Sequence, residues 1–126
     1  VVRDRWTAKG VDDTIKQTAE TDGIEVPVRE EREGGSSGKA VVAARLSAMA
    51  GWDYVGRLPS GSKRVRANPL AVQAEGGNVC IVRGEWNNDW LDELSLFDRG
   101  KHDDQVDSAS GAFNELIELK KRITIF

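Results

Sequence analysis

The sequence has too few cysteine and histidine residues to build a zinc site or a disulfide framework. Its 126 residues include one cysteine and one histidine, whereas a structural zinc site takes four such ligands. No apolar run approaches the roughly 20 residues that cross a bilayer, and no basic-then-apolar leader is recognised. We therefore expect a cytoplasmic protein that has no membrane partner and holds any metal ion through oxygen ligands.

The composition is that of a folded protein. Hydrophobic residues make up 39% and charged residues 31%, with the two signs interleaved, so we expect a single domain over residues 1–126. The net charge of −3 argues against a protein that coats nucleic acid. It does not exclude a DNA enzyme, because clustered catalytic carboxylates lower the total. The strand-like start at Val1 leads us to expect a missing upstream part.

Predicted strands and helices alternate along the chain. The strands cover residues 1–6, 24–28, 52–56 and 78–82, and the helices cover residues 11–22, 39–50, 66–75, 87–97 and about 102–122. A turn is expected at 8–10, Gly23 should end the first helix, and Ser36 or Ser37 should cap the second. Cys80 should be buried in its apolar run. The alternation predicts an α/β fold with a mainly parallel or mixed sheet.

Three carboxylates fall within one turn at the start of the last predicted helix: Asp103, Asp104 and Asp107. One or two acids at this position are most simply explained by the helix dipole. A third acid changes the balance, because like charges at i,i+4 oppose helix formation. In addition, Asp103 lies three residues before Val106, on the side of the apolar stripe that continues to Ile117. Three carboxylates this close together need a compensating cation, and hard oxygen ligands suit Mg²⁺ or Mn²⁺.

A second acidic segment, Glu30 to Glu33, follows the predicted strand that contains Val28. Active clefts of open α/β sheets lie at the carboxyl ends of strands. Taken alone, this segment is more simply a solvated turn. Together with the helix acids it describes a two-metal phosphodiesterase site. A further acid on a central strand is not found, and Asp4 has no acidic neighbourhood.

Basic residues at two places are candidates for contacts with phosphate. The loop from Glu33 to Lys39 departs from a Walker A motif at Glu33 and Ala40, but Lys39 at a helix start could hold a DNA phosphate. A second candidate patch consists of Lys63, Arg64 and Arg66, with a solvated loop as an equally good interpretation. His102 either tunes the acidic site or caps the helix.

These segments resemble the nuclease domain of the phage terminase large subunit. The most specific part is Gly100-Lys101-His102-Asp103-Asp104-Gln105-Val106-Asp107, supported by residues 33–39, 63–69 and 77–87. The resemblance implies an RNase H-like mixed sheet flanked by helices, lacking its first strand or strands, and two Mg²⁺ or Mn²⁺ ions. It implies catalytic and metal-binding roles for Glu33, with Glu31 in reserve, and for Asp103, Asp104 and Asp107. The family's first catalytic aspartate would precede Val1.

The implied function is that of a metal-dependent endonuclease that cuts concatemeric DNA during genome packaging in the host cytoplasm. The implied partners are double-stranded DNA, an upstream ATPase domain, the portal and the small terminase subunit. The chain alone should be weakly active or inactive. The alternatives are a non-catalytic DNA-binding or motor-docking module, and another nuclease of the same fold such as a RuvC-type resolvase.

Overall fold

The computed structural model describes residues 2–123, with side chains described up to residue 120. The described residues form two compact units that divide after Pro59. The prediction of a single domain over residues 1–126 stays a prediction. Among residues 2–123, no helix is both long and apolar enough to span a bilayer.

The first unit is built on two parallel strands joined by a helix. Its elements are α1 (Ala8–Asp22), β1 (Val28–Glu31), α2 (Gly35–Ala48) and β2 (Tyr54–Arg57). Val28 lies opposite Tyr54, and Glu31 lies opposite Arg57. Parallel strands cannot be joined by a tight turn, so α2 serves as the crossover between them.

Helix α1 is set by its two ends. Thr7 is the N-cap and its hydroxyl accepts a hydrogen bond from the Gly10 amide at 3.2 Å. Gly23 ends the helix with a φ of 97°, which favours glycine, and this confirms the predicted stop. The predicted turn at residues 8–10 is wrong, because the Thr7 cap starts the helix there. Residues 2–6 form no strand, and Val1 lies outside the described residues.

Two glycines allow α2 to pack closely against its own loop and strand. A Cβ on Gly38 would lie 2.0 Å from the Glu33 carbonyl oxygen, and a Cβ on Gly56 would lie 2.5 Å from a Val42 methyl. The small core of this unit consists of Ala19, Met49 and Tyr54. Partly buried hydrophobic side chains pack around it: Ile15, Val28, Val42 and Trp52.

The two strands lie later in the chain than the sequence pattern indicated. The first begins at Val28, because residues 24–26 form a turn in which the Val26 amide donates to the Gly23 carbonyl at 3.1 Å. The second begins at Tyr54 rather than Trp52. Helix α2 begins at Gly35 with Gly34 as N-cap, so Ser36 and Ser37 lie inside its first turn.

The second unit contains three helices: α3 (Lys63–Glu75), α4 (Asn87–Ser95) and α5 (Asp104–Ile123). Helix α5 packs against both α3 and α4. Helix α3 starts earlier than the predicted residue 66, because the Ser62 hydroxyl accepts a hydrogen bond from the Val65 amide. Pro69 lies within the helix. Helix α5 confirms the predicted last helix.

The strand predicted at residues 78–82 is wrong. This segment has no regular secondary structure, and Val82 is 80% exposed. The Asn87 side chain accepts a hydrogen bond from the Gly84 amide at 2.7 Å and donates one to the Val82 carbonyl at 3.1 Å, which holds the end of the segment as a loop. Cys80 is exposed, so its predicted burial is also wrong. Within residues 2–123 the sheet is limited to β1 and β2.

Candidate metal centre

Two of the predicted acids converge on one point at the start of α5. Asp103 directly precedes the helix, and its carbonyl oxygen accepts a hydrogen bond from the Asp107 amide at 2.9 Å. Lys63 Nζ lies 2.7 Å from Asp103 Oδ1 and 2.8 Å from Asp107 Oδ2. Residues four apart share a helix face, so both carboxylates reach the same cation.

A second cation from α3 fixes the other oxygen of Asp107. Arg66 Nη2 lies 3.3 Å from Asp107 Oδ1. The Arg66 carbonyl oxygen accepts a hydrogen bond from Asn114 Nδ2 at 2.9 Å, which ties the Arg66 backbone to α5. Only 14% of the Asp107 side chain is exposed. A carboxylate that has lost this much water needs nearby positive charge, and Lys63 and Arg66 supply it.

Lys63 is held firmly in its charged form. Its hydrogen bonds to Asp103 and then to Asp107 raise the pKa of the Lys63 ammonium above its usual range. The Lys63 side chain is 46% exposed, so it contacts the two carboxylates while part of it remains in solvent. At neutral pH Lys63 therefore carries its positive charge where it faces Asp103 and Asp107.

The third acid of the predicted motif is arranged differently. Asp104 is exposed and takes no part in the Lys63 and Arg66 ion pairs. His102 is exposed as well. Among residues 2–120, no three His, Cys, Asp or Glu side chains lie close enough together to hold a metal ion. The structure thus brings together Asp103 and Asp107. The ligand role of Asp104 stays a prediction, and so does the role of His102 in tuning the site or capping the helix.

The start of α5 is fixed by a buried glutamate of α4 that sequence reasoning missed. Glu93 Oε1 accepts hydrogen bonds from the amides of Gln105 at 2.6 Å and Val106 at 3.1 Å. Glu93 Oε2 accepts one from Gln105 Nε2 at 2.8 Å. A signal was present, because Glu93 stands three residues after Trp90 and so shares its face of α4, where a buried acid needs a partner.

In the first unit, the strand acids divide between the interior and the solvent. Tyr54 donates a hydrogen bond to Glu30 Oε2 at 2.5 Å, and Arg45 donates one to Glu30 Oε1. Arg45 also bonds Asp12 Oδ1 through Nε at 3.1 Å and Nη2 at 2.5 Å. Glu30 is therefore committed to this network. Glu31, the last residue of β1, and Glu33, in the following loop, are exposed, and their ligand roles stay predictions.

The same network shifts the ionisation of its members. Burial, followed by the hydrogen bond to Glu30, raises the pKa of Tyr54 to about 12. Burial opposes the charge on Arg45, but hydrogen bonds to Glu30 and Asp12 outweigh it and raise the pKa of Arg45. The cluster therefore keeps its neutral phenol and its charged guanidinium throughout the neutral range.

The predicted phosphate-binding residues differ in their surroundings. Lys39 is exposed near the start of α2, where helix amides favour an anion. The patch formed by Lys63, Arg64 and Arg66 is a helix start, not a loop, and each member is paired with an acid. Arg64 Nη1 lies 3.0 Å from Asp98 Oδ2 on an exposed part of the surface. The DNA contacts of all four residues stay predictions.

A family model described as the terminase RNaseH-like domain matches residues 1–116. The chain belongs to this family. The match includes all the predicted site residues, from Glu31 to Asp107, and confirms the resemblance that the acidic motif indicated. It also supports the RNase H-like fold class, of which the described residues show a parallel strand pair and five helices. No curated protein and no solved structure matches the chain significantly.

The divalent ion implied by a terminase RNase H-like domain can be tested against the acid pair. Asp103 Oδ1 and Asp107 Oδ2 both lie within hydrogen-bond distance of one nitrogen, so the two oxygens already face a common point. Carboxylate oxygens are hard ligands, and Mg²⁺ commonly takes one or two carboxylates while it keeps several waters. The pair therefore fits one such ion.

Proposed function

We propose that this chain is the metal-dependent endonuclease part of a terminase large subunit, which cuts concatemeric DNA during genome packaging. The observation that carries the proposal is the convergence of Asp103 Oδ1 and Asp107 Oδ2 on one cationic group in a chain of the terminase RNase H-like family. Two carboxylates that face one point provide the oxygen-rich, negative environment that a catalytic Mg²⁺ or Mn²⁺ requires.

Each residue of the acid pair has a definable task. Asp103 and Asp107 would bind a divalent ion through the oxygens that now face Lys63, and Arg66 would keep Asp107 oriented by holding its second oxygen. When bound, the ions supply an activated water and stabilise the leaving oxygen of the phosphodiester. We assign Glu33, in the loop after β1, or in reserve Glu31, the last residue of β1, as a further ligand, together with Asp104.

The substrate and the partners that we propose are those implied by the resemblance to phage terminases. The substrate is double-stranded DNA in the host cytoplasm, and the chain works with an upstream ATPase domain, the portal and the small terminase subunit. The acid pair by itself fits one ion, whereas two ions are expected in a complete site, so we expect the 126 residues alone to nick DNA weakly or not at all.

A plasmid-nicking assay at excess protein tests the catalytic assignment. We expect slow or no nicking with Mn²⁺, and any nicking should disappear in the Asp103→Asn/Asp107→Asn variant and persist in Asp89→Asn, a first-turn acid of α4. Nicking that survives the double variant would contradict the assignment of the acid pair. Rapid nicking that the double variant abolishes would support the assignment but contradict the expected weakness of the chain alone.

A non-catalytic DNA-binding or motor-docking module is the second candidate. It is favoured by one observation, namely that Lys63 and Arg66 already supply positive charge to the acid pair, so the pair needs no metal to balance its charge. This candidate predicts salt-sensitive DNA binding that is the same with and without Mn²⁺ and in the double variant. The endonuclease proposal predicts DNA binding that Mn²⁺ strengthens through Asp103 and Asp107.

A further inference from the structure

We propose that Lys63 is an exchangeable counter-ion of the metal site: its ammonium holds Asp103 and Asp107 together before metal loading and must leave when a divalent ion binds. The inference rests on the proposed function, because it concerns the same acid pair. It adds a residue that regulates metal loading and that also becomes available to DNA at that moment.

Mutual exclusion follows from the distances. Lys63 Nζ lies 2.7 Å from Asp103 Oδ1 and 2.8 Å from Asp107 Oδ2. A Mg²⁺ ion bound by the same oxygens would lie about 2.1 Å from each. An ammonium and a divalent ion cannot both occupy the space between two oxygens, since they would overlap and repel each other. Metal binding therefore has to break both Lys63 pairs.

Lys63, and not Arg66, is the cation suited to leave. The Lys63 side chain is 46% exposed and the Arg66 side chain only 19%. An ammonium on a flexible four-carbon stem regains water easily, whereas a planar guanidinium is better suited to a fixed pair. Arg66 also contacts the other oxygen of Asp107, so an ion at Oδ2 leaves that contact intact.

The released ammonium would lie next to a loaded metal site. A lysine in this position is a point charge that can contact a phosphate oxygen of the DNA backbone. In the metal-free chain it is already paired with two carboxylates, so its contribution to DNA binding should be small. Lys63 would thus act as a positioning residue whose availability depends on the metal.

The decisive comparison is Mn²⁺ affinity, measured by calorimetry, for the unmodified chain, Lys63→Met and Arg64→Met. Lys63→Met removes the competing charge and keeps most of the stem, and we expect it to bind Mn²⁺ about fivefold more tightly. Arg64→Met is the matched control, because it removes one positive charge from the same helix turn. Arg64 itself pairs with Asp98 and not with the acid pair. We expect no more than about a twofold change for it.

A second measurement uses the unmodified chain and does not depend on how a variant folds. During a Mg²⁺ titration followed by NMR, the Hε and Cε signals of Lys63 should shift with the same midpoint as the carboxyl carbons of Asp103 and Asp107. Signals of Arg66 should shift much less.

The outcomes separate the exchange from the metal site itself. Equal Mn²⁺ affinity of the unmodified chain and Lys63→Met, or Asp103 and Asp107 signals that shift while Lys63 stays unchanged, would overturn the exchange and leave the metal site standing. Absence of Mn²⁺ binding from both proteins would overturn the proposed function, and the exchange with it. Equally tighter Mn²⁺ binding by Lys63→Met and Arg64→Met would show that the gain in affinity comes from the loss of any nearby positive charge. That result would also overturn the exchange.

Discussion

The carboxylate of Glu93 accepts a hydrogen bond from the backbone amide of Gln105 at 2.6 Å. This contact caps α5 from a neighbouring helix, because the same carboxylate also accepts the Val106 amide. The first amides of a helix have no partner within the helix and need an external acceptor. Glu93 thereby fixes the turn on which Asp103 and Asp107 stand, although it contacts neither of them in the hydrogen bonds described.

Loss of the Glu93 cap should destabilise the second unit. We expect Glu93→Ala to lower the free energy of unfolding by about 1–3 kcal/mol, since it leaves buried amides without an acceptor. Glu93→Gln keeps one carbonyl acceptor and should cost clearly less. Urea unfolding of the two variants checks this, and equal losses would show that the hydrogen bonds to Gln105 and Val106 are not the reason.

Gly38 should not tolerate a side chain. A Cβ at this position would lie 2.0 Å from the Glu33 carbonyl oxygen, which is backbone and cannot swing aside. We expect Gly38→Ala to cost more than about 2 kcal/mol in urea unfolding. Gly111→Ala is the control, because a Cβ on this helical glycine meets nothing within 4 Å and should stabilise by up to about 1 kcal/mol. A harmless Gly38→Ala would contradict the close approach of α2 to its loop.

The single tyrosine gives a direct pH test of the network in the first unit. Tyr54 has its pKa raised to about 12, against an ordinary value of 10.0. Because the folded chain holds the Tyr54 proton more tightly than the unfolded chain, the protonated phenol favours folding. This contribution is complete below the pKa of the unfolded chain, and it is lost as the pH rises through the pKa of the folded chain. Stability should therefore fall between pH 10 and about 12, by about 3 kcal/mol at most.

Near-ultraviolet absorbance of tyrosinate measures the ionisation of Tyr54 without interference, because the chain has one tyrosine. Glu30→Gln should bring the midpoint part of the way back toward the ordinary value, since it removes the charged acceptor of the phenol hydrogen bond and leaves the burial of Tyr54. Tyr54→Phe should lose the part of the alkaline fall in stability that this ionisation causes. A midpoint near the ordinary value in the unmodified chain would contradict the contact with Glu30.

The ion pairs predict which basic residues contribute to DNA binding without metal. Lys39 is exposed at the start of α2, whereas Arg64 is paired with Asp98. We expect Lys39→Met to weaken DNA binding and to reduce the slope of log affinity against log salt by about one. Arg64→Met should change the slope less. A larger effect of Arg64→Met, measured by fluorescence anisotropy in the absence of divalent ions, would contradict this ranking.

Sequence reasoning located the helices well where local signals agree. The periodicity from Val11 to Ala19 and the stop at Gly23 predicted the body and end of α1, and the apolar stripe of residues 106–117 predicted α5. Helix starts were less predictable, because they depend on which side chain caps them. Thr7 and Ser62 each begin a helix before its apolar periodicity starts, and Glu93 caps α5 from a distant part of the sequence.

Strands were harder to predict, because a strand needs a neighbouring backbone as well as suitable residues. The run from Val79 to Val82 has the composition of a strand, yet it is held as a loop by Asn87. The two members of the acid pair were predictable, because residues four apart share a helix face. Its counter-ions were not, because Lys63 stands 40 residues before Asp103, and basic residues next to a turn look the same whether they face solvent or an acid.

Mn²⁺ binding to the acid pair is the most direct test of the account. We expect the unmodified chain and the Asp89→Asn control to bind Mn²⁺ saturably in calorimetry, and Asp103→Asn/Asp107→Asn to lose this binding. Asp104→Asn should have a smaller effect than either single change at the pair, because Asp104 is exposed outside the Lys63 ion pairs. The same Mn²⁺ affinity in the double variant as in the unmodified chain would contradict the assignment of Asp103 and Asp107 as metal ligands.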